Sequence, residues 1–240
     1  FNPEEHFIIC ANIVGSCYGA SGPLSINPKS GKPYYSSFPM VTIRDMVKAH
    51  QLLQEHLGIK KIKYGLGGSM GGYQLMEWAI QDEKLFENII LLTTSASESS
   101  WGKAIHEAQR LAIEADPTWK NDDPNAGKKG LMAARGIGML TYRNYEIYGI
   151  TQKDETESID EFKAGSYIRY QGEKLANRFN TYSYYLLTKA MDSHSVGRGR
   201  KSAESVLKSI IAKTLIIGIS SDILCPVKEQ EFLAKNIPGS

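Results

Sequence analysis

The chain has 240 residues, of which 42% are hydrophobic and 22% are charged, and its formal net charge is +2 at pH 7. These values are typical of a globular protein and allow one large α/β domain or a domain with an insertion. Because the charge is balanced and no apolar run approaches the length of a membrane span, we expect neither nucleic acid nor a membrane as a partner.

The first third of the chain predicts a strand, a long loop and a helix. Residues 6–14 are apolar almost throughout and predict a buried parallel strand. Residues 15–39 are rich in Gly, Ser and Pro, and loops of this length in compact domains commonly cover or build a site. A helix is predicted over residues 43–57, because Thr42 and Asp45 have the spacing of a capping box. Its inward positions are Met46, Val47, Leu52, Leu53 and Leu57, and it ends at Gly58.

The next segment contains the sequence Gly67-Gly68-Ser69-Met70-Gly71, a G-x-S-x-G motif. A short apolar run precedes it and a helical pattern follows, which is the context of a nucleophile elbow. We expect Gly67 and Gly71 to be glycines because a side chain at either position would clash with the crossing backbone. The N–H of Met70 would point at an oxyanion formed on Ser69. The alternatives are a glycine-rich turn with an incidental serine and a nucleotide loop, and Met70 breaks the G-x-G-x-x-G pattern of the latter.

Residues 86–93 predict another strand, so strands and helices alternate as in a parallel sheet with right-handed crossovers. A change of character follows, with helical patterns and polar loops but no clear buried strand. We interpret this part as a helical lid insertion, with helices over residues 101–115, 130–142, 159–179 and 182–191. The α/β pattern then resumes with a short helix over residues 202–211 and a strand over residues 214–219.

Asp222 follows that last strand and is the candidate acid of a catalytic triad. Sites in open parallel sheets form outside the carboxyl ends of the strands, so Ser69 and Asp222 would share one edge. The order of the α/β-hydrolase fold is Ser, then acid, then His. All five histidines precede Asp222; of these, His50 and His56 are expected on the outer face of the first helix. Asp222 could alternatively be only a cap for the next helix.

Taken together, these patterns predict an α/β-hydrolase fold, a mostly parallel sheet with helices on both faces and a lid. The core would comprise residues 1–95, with the elbow, and 196–240, with the acid, and the lid insertion residues 96–195. The basic turn 197–201 is interpreted as a solvated loop. Three cysteines without metal spacing, Cys10, Cys17 and Cys225, predict buried thiols, a reducing cytoplasmic location and no metal site.

The sequence also resembles the homoserine O-acetyltransferase family. The matches follow one order along nearly the whole chain: residues 11–17 (ANIVGSC), 19–23 (GASGP), 38–39 with 42–47 (TIRDMV), 67–72 (GGSMGG) with 77–78 (EW), 134–135 with 140–143, 170–172, 178–179, 191–194 (MDSH) and 221–224 (SDIL). Together they are far more specific than the elbow alone, which many hydrolases share.

The resemblance implies a ping-pong transfer of an acetyl group from acetyl-CoA, the co-substrate, to L-homoserine, with no other cofactor. Ser69 would carry the acetyl group and Asp222 would be the acid. Arg135 and Tyr142 match an Arg and a Tyr of the family that line the substrate pocket, and Arg135 suits the homoserine carboxylate. Members of the family commonly form dimers through the lid helices, so we expect a homodimer.

The departures from the family are an absent His-Ala-Leu-Thr-Gly loop, which supplies the other oxyanion N–H, and an absent Gly-His-Asp segment, which carries the catalytic His. We therefore expect the base to lie outside these 240 residues and the 240 residues alone to be inactive and poorly soluble. Alternatives are a serine esterase of the same fold, a family member using succinyl-CoA or serine, and a binding protein that has lost the triad.

Overall fold

The computed structural model describes residues 2–157 and 159–240. Its sheet has three parallel strands, β1 (Ile62–Gly68), β2 (Phe86–Leu92) and β3 (Lys213–Ile217), in the order β1-β2-β3. Gly68 lies opposite Leu92, which lies opposite Ile217, so the three carboxyl ends are level. The predicted parallel sheet is confirmed.

Helix α1 (Ile43–His56) begins as the sequence predicts. The backbone N–H of Thr42 donates to the Asp45 carboxylate at 2.7 Å, and the N–H of Asp45 donates back to the Thr42 hydroxyl at 3.3 Å. Gly58 follows the helix with φ of +69°, the left-handed conformation that glycine adopts without strain.

The face of α1 turned toward the core differs from the prediction. Met46 and Val47 are buried, but Leu52, Leu53 and Leu57 are exposed. His50 takes the inner position instead, where Nε2 lies 2.9 Å from the Gln74 amide oxygen and the ring stacks on Trp78 of the next helix. The expectation that His50 lies on the outer face is therefore wrong, because a polar partner on the neighbouring helix compensates its burial.

Helix α2 (Met70–Gln81) packs on β1 and β2, and helix α9 (Val227–Asn236) packs on β3. The buried face of the sheet carries Ile89 and Leu91, at the centre of the main core. On the opposite face Leu66 and Leu215, both aligned with Ile90, are more than half exposed.

Residues 6–14 do not form the predicted strand. They have no regular structure, and Phe7, Ile8 and Ile9 are exposed by 82%, 57% and 44%. The His6 ring lies 5.9 Å from the Tyr64 ring of β1, so the segment approaches that strand. The apolar run indicated burial, but a strand also requires a hydrogen-bonded neighbour, and within the described residues β1 pairs with β2 alone.

Between β2 and β3 the chain is helical, as predicted. The helices are α3 (Ser100–Glu114), α4 (Lys128–Thr141), α5 (Tyr145–Thr151), α6 (Lys163–Ala176) and α7 (Thr181–Asp192). The short α5 is additional to the predicted four and is capped by the Asn144 side chain. After α7 comes α8 (Ala203–Leu207), and within the long first loop Tyr35–Ser37 forms a 3₁₀ turn. In the described part of the chain no helix has the length and apolarity needed to cross a membrane.

Candidate active site

The backbone at Ser69 is held in a strained conformation between β1 and α2. Its φ is +48° and its ψ is −121°, values that a non-glycine residue rarely adopts. The N–H of Ser69 donates to the Leu92 carbonyl at 3.0 Å, and its carbonyl accepts from Gly72 N–H at 2.9 Å and from the Thr94 hydroxyl at 2.8 Å. These bonds fix the turn from both sides and leave the Ser69 side chain exposed, as expected of a nucleophile elbow.

The glycines of the motif have different roles from those predicted. A Cβ at Gly67 would collide with the backbone of Gly71, so the prediction for Gly67 is confirmed. Nothing lies within 4 Å of a Cβ added at Gly71, so the prediction for Gly71 is wrong in the described structure. The tight position is Gly72, where an added Cβ would lie 2.5 Å from Oγ1 of Thr94.

Met70 is the first residue of α2, and the first N–H groups of a helix have no partner within that helix. The positive end of the helix dipole lies at the same place. This geometry is suited to an oxyanion formed on Ser69, although only one of the two expected donors belongs to this turn.

Asp222 lies beyond the carboxyl end of β3, at the sheet edge where Ser69 follows β1. Strand β2 separates them, so the two residues follow strands about 10 Å apart. The Oδ1 atom of Asp222 accepts from the N–H groups of Leu224 and Cys225 at 2.8 and 2.9 Å. Asp222 therefore closes a turn rather than capping α9, whose N-cap is Pro226, and Oδ2 is the oxygen that can accept from an imidazole.

Three of the histidines have partners away from Ser69 and Asp222. His50 contacts Gln74, as described above, and His106 lies with Nδ1 2.7 Å from Oδ1 of Asp192. His194 is 3% exposed, with Nε2 3.2 Å from the Ser95 carbonyl, and burial lowers its pKa to about 4. The His194 imidazole is therefore neutral at pH 7, and Nε2, which donates to the carbonyl, is not directed at Ser69.

The lid insertion places the predicted substrate residues together. The guanidinium carbon of Arg135 lies 5.2 Å from the Tyr142 ring centroid, a cation–π distance. The Arg135 Nε is buried and has no hydrogen-bond partner among the described residues. Burial of the hydroxyl raises the pKa of Tyr142, Arg135 opposes that shift, and Cys225 adds to it. The pair thus lies within electrostatic reach of the loop that carries Asp222.

The cysteines are not uniformly buried as predicted. Cys10 is exposed, Cys17 is half-buried and Cys225 is buried. Burial, reinforced by the neighbouring Asp222 carboxylate, raises the pKa of the Cys225 thiol to about 12, so this thiol is not a nucleophile at neutral pH. Among the described residues, no cluster of His, Cys, Asp and Glu could hold a metal ion.

A buried polar group beside the elbow was not predicted. The Tyr73 hydroxyl donates to Oε2 of Glu98 at 3.1 Å, and the Tyr73 ring stacks on His194 with centroids 4.0 Å apart. Burial raises the pKa of Glu98. These residues are 25 to 121 positions apart in the sequence, and no local pattern indicates that they meet.

The basic turn 197–201 is not simply solvated. Arg200 donates to both carboxylate oxygens of Glu77 at 2.8 and 2.6 Å. The Glu77 side chain is only 1% exposed, and Arg44 of α1 lies 3.2 Å from its Oε1. Glu77 therefore ties the elbow helix to α1 and to the chain returning from the lid.

The comparisons with known proteins agree with this arrangement. The family model of the α/β hydrolase fold matches residues 1–240, and the elbow, the parallel sheet and the acid after β3 are what that fold requires. The chain is therefore a member of the α/β-hydrolase-fold proteins.

Its relatives identify the family within that fold. Homoserine O-acetyltransferases of Cyclobacterium marinum and Chlorobaculum parvum are 48% and 46% identical to it, over 99% and 100% of this chain and 68% of each relative. The solved homoserine O-acetyltransferase of Staphylococcus aureus is 30% identical, with a TM-score of 0.77 over 94% of this chain and 62% of that one. Esterase E22 is 28% identical, with a TM-score of 0.82 over 91% and 62%. The chain belongs to the homoserine O-acetyltransferase family, and it spans about two thirds of the length of these proteins.

Proposed function

We propose that the intact protein transfers an acetyl group from acetyl-CoA to the hydroxyl of L-homoserine, as a step of methionine biosynthesis in the cytoplasm. The observation that carries the proposal is the strained elbow at Ser69 in a chain 48% identical to a homoserine O-acetyltransferase over 238 residues. A serine so placed is suited to covalent catalysis, which divides one difficult transfer into two easier ones.

In the first half of the reaction the Ser69 oxygen attacks the thioester carbonyl of acetyl-CoA. Its proton passes to an imidazole base, the tetrahedral oxyanion lies against the N–H of Met70, and CoA leaves as the thiol after taking that proton back. In the second half the base removes the proton of the homoserine hydroxyl, which attacks the acetyl-Ser69 ester. The Ser69 oxygen then leaves and takes that proton from the base, so the products are O-acetyl-L-homoserine and free Ser69.

Asp222 orients the imidazole and stabilises its charged form. We propose that His194 is not this imidazole, because it is held neutral against the Ser95 carbonyl. Arg135 binds the homoserine carboxylate with its planar guanidinium. Tyr142 covers that guanidinium from one face.

The test is mass spectrometry of the intact protein with acetyl-CoA alone. We expect an added acetyl group on the wild-type protein and none on Ser69→Ala. Ser205→Ala, which changes an exposed serine of α8, is the matched control and keeps the adduct. An adduct that persists at full yield in Ser69→Ala would show that another residue carries the acetyl group.

A second candidate is a serine esterase, which the likeness to esterase E22 favours. The two functions differ in whether water or the amino-acid hydroxyl reaches the acetyl-enzyme. Release of acetate at the same rate with and without homoserine would support the esterase. Assays that combine acetyl-CoA or succinyl-CoA with homoserine or serine would then identify the donor and the acceptor.

We also propose a homodimer formed through the lid insertion. The support is a group of apolar side chains in and beside α5 that are exposed in the single chain. Tyr145 is 93% exposed and Ile150 is 75% exposed, and monomers rarely leave such groups uncovered. Sedimentation equilibrium of the intact protein and of Ile150→Lys would show whether this surface forms the contact.

A further inference from the structure

The start of α3 contacts one residue close to Ser69 and another close to Asp222. The indole N–H of Trp101 donates to the Ile223 carbonyl at 2.8 Å, directly beside Asp222. One turn earlier, Oε2 of Glu98 accepts from the Tyr73 hydroxyl at 3.1 Å. The N–H of Tyr73 in turn donates to the carbonyl of Ser69 at 3.2 Å. Residues 98–101, which we call the α3 brace, therefore connect the elbow to the acid loop.

The Glu98 end of the brace is closely fitted. The Ser99 N–H donates to Oε1 of Glu98 at 3.1 Å, and the Ser99 hydroxyl caps the helix by accepting from Gly102 N–H at 2.9 Å. A Cβ at Gly102 would collide with the Glu98 carboxyl group. The helix thus leaves room for this carboxyl, which is oriented by a donor on each oxygen.

The brace is also anchored to the chain returning from the lid. Ser97 and Ser195 form an isolated antiparallel bridge, and the N–H of Glu98 donates to the His194 carbonyl at 3.1 Å. The His194 ring stacks on Tyr73. The chain entering the lid, at Glu98, and the chain leaving it, at His194, therefore both contact Tyr73 of the elbow helix. The start of α3 is therefore fixed to α2 from two directions.

We propose that Glu98 and Trp101 are positioning residues for the acylation of Ser69, and that the α3 brace sets the position of Asp222 relative to the elbow. The proposal deepens the proposed function and rests on it. Strand β2 lies between β1, which Ser69 follows, and β3, which Asp222 follows. The sheet therefore fixes where these strands end but not the course of the loop after β3. Displacements of about 1 Å in an active site can lower a rate a hundredfold, so a contact that holds this loop affects catalysis.

The test uses Trp101→Phe and Tyr73→Phe in the intact protein, each of which keeps an aromatic ring and removes one donor. We expect acetylation of Ser69 in a single turnover to fall about fivefold in Trp101→Phe, the usual effect of one neutral hydrogen bond. In Tyr73→Phe, which leaves a buried oxygen of Glu98 without its donor, we expect about a tenfold fall.

Each variant has a matched control within the lid insertion. Trp119→Phe removes an indole N–H that has no partner among the described residues. Tyr185→Phe removes a hydroxyl that donates to Glu114 at 2.5 Å, at the far end of α3. Both controls should acylate at the wild-type rate. If Trp101→Phe and Tyr73→Phe do no worse than their controls, the proposal is wrong.

Two further measurements separate positioning from a general loss of structure. A looser Asp222 stabilises the imidazolium less, so the pKa of the base falls and the acidic limb of the pH–rate profile moves to lower pH in Trp101→Phe. Loss of folded protein would lower the rate at every pH without moving that limb. The double variant should acylate Ser69 only slightly more slowly than Tyr73→Phe alone, because the brace is already released at one end. If the two reductions in rate multiply instead, the two contacts act independently and the brace is not one unit.

The reaction of Ser69 with a fluorophosphonate distinguishes this proposal from the proposed function, since it requires only an activated serine. If the wild-type protein reacts with the fluorophosphonate but not with acetyl-CoA, the acetyl-transfer proposal fails and the brace is judged on the fluorophosphonate rates of the same variants. Unchanged fluorophosphonate rates in Trp101→Phe and Tyr73→Phe would overturn the brace even if acetyl transfer were established.

Discussion

Replacement of Glu77 by Gln should destabilise the protein more than the same replacement at an exposed carboxylate. Glu77 accepts from Arg200 at two oxygens and from the Gln81 amide at 2.8 Å. An amide of the same shape keeps one acceptor oxygen but turns an N–H₂ group toward the guanidinium. The change therefore removes the charge and sets donors against donors in a buried place.

The size of the effect follows from the burial of the Glu77 carboxylate and of the two arginines that pair with it. Removing one partner of a fully buried pair costs about 3–5 kcal/mol. The side chains of Arg200 and Arg44 are 24% and 30% exposed, so water relieves part of the remaining positive charge. We expect a loss of about 2–3 kcal/mol in the free energy of unfolding, or a fall in Tm of about 5–10 °C for a chain of this size.

The pH dependence has a definite sign. Burial alone would raise the pKa of Glu77, but hydrogen bonds from Arg200 and Gln81 outweigh it, and the pKa lies below its ordinary value of 4.5. A lowered pKa in the folded state contributes stability that is fully present above the unfolded-state pKa. That stability is lost as the pH falls through the folded-state pKa. The difference between wild type and Glu77→Gln should therefore be largest above pH 4.5 and shrink below it.

The assay is urea unfolding of the intact protein at several pH values, with Glu107→Gln as the control. Glu107 pairs with Arg110 at 2.5 Å, and its side chain is 58% exposed. Arg110 is only 9% exposed but still pairs with Asp192 at 2.6 Å when Glu107 is replaced, so we expect a loss of less than about 1 kcal/mol. A loss below about 1 kcal/mol in Glu77→Gln, or a loss that does not change with pH, would refute the reasoning.

Two other predictions concern the substrate and the elbow. Arg135→Lys keeps the charge but not the planar fork, so KM for homoserine should rise with acetyl-enzyme formation nearly unchanged. The control is Arg169→Lys on the exposed face of α6, and an equal loss of acylation would instead assign Arg135 to the thioester half of the reaction. Gly72→Ala should cost about 1–3 kcal/mol of stability and slow acylation, because Thr94 is fully buried and cannot move away. Gly71→Ala is the control, and it should behave as wild type because the new methyl group has open space around it.

The sequence predicted the elements whose signals are local. The Thr42–Asp45 capping box and Gly58 define α1 to within one residue, and G-x-S-x-G between an apolar run and a helical pattern located the elbow. The prediction for residues 6–14 was wrong because an apolar run shows a tendency to be buried but does not supply the neighbour that a strand needs. The orientation of Leu52 and Leu53 was wrong for a related reason, since helical periodicity does not show where the covering helix ends.

In the candidate site, too, the residues with local signals were predicted and those that depend on distant contacts were not. Ser69 and Asp222 were predicted by motif and chain order, and the level ends of β1 and β3 place them at one edge of the sheet. The roles of Glu98, Thr94 and Trp101 were not predicted, because each depends on a contact between segments that are distant in the sequence. Gly71 was assigned the role of Gly72 because the motif names positions, whereas the tight position is determined by the Thr94 side chain, which follows β2.

The contact of Trp101 with the acid loop also gives the molecule an optical reporter. Trp101 is 54% exposed, whereas the Nε1 atoms of Trp78 and Trp119, the other two tryptophans, are buried. Acrylamide in solution will therefore quench Trp101 fluorescence before that of the other two. Indole emission shifts to the red when the indole N–H donates to water instead of to a carbonyl. Release of the loop after β3 can therefore be followed in real time by the emission wavelength of Trp101, without a label.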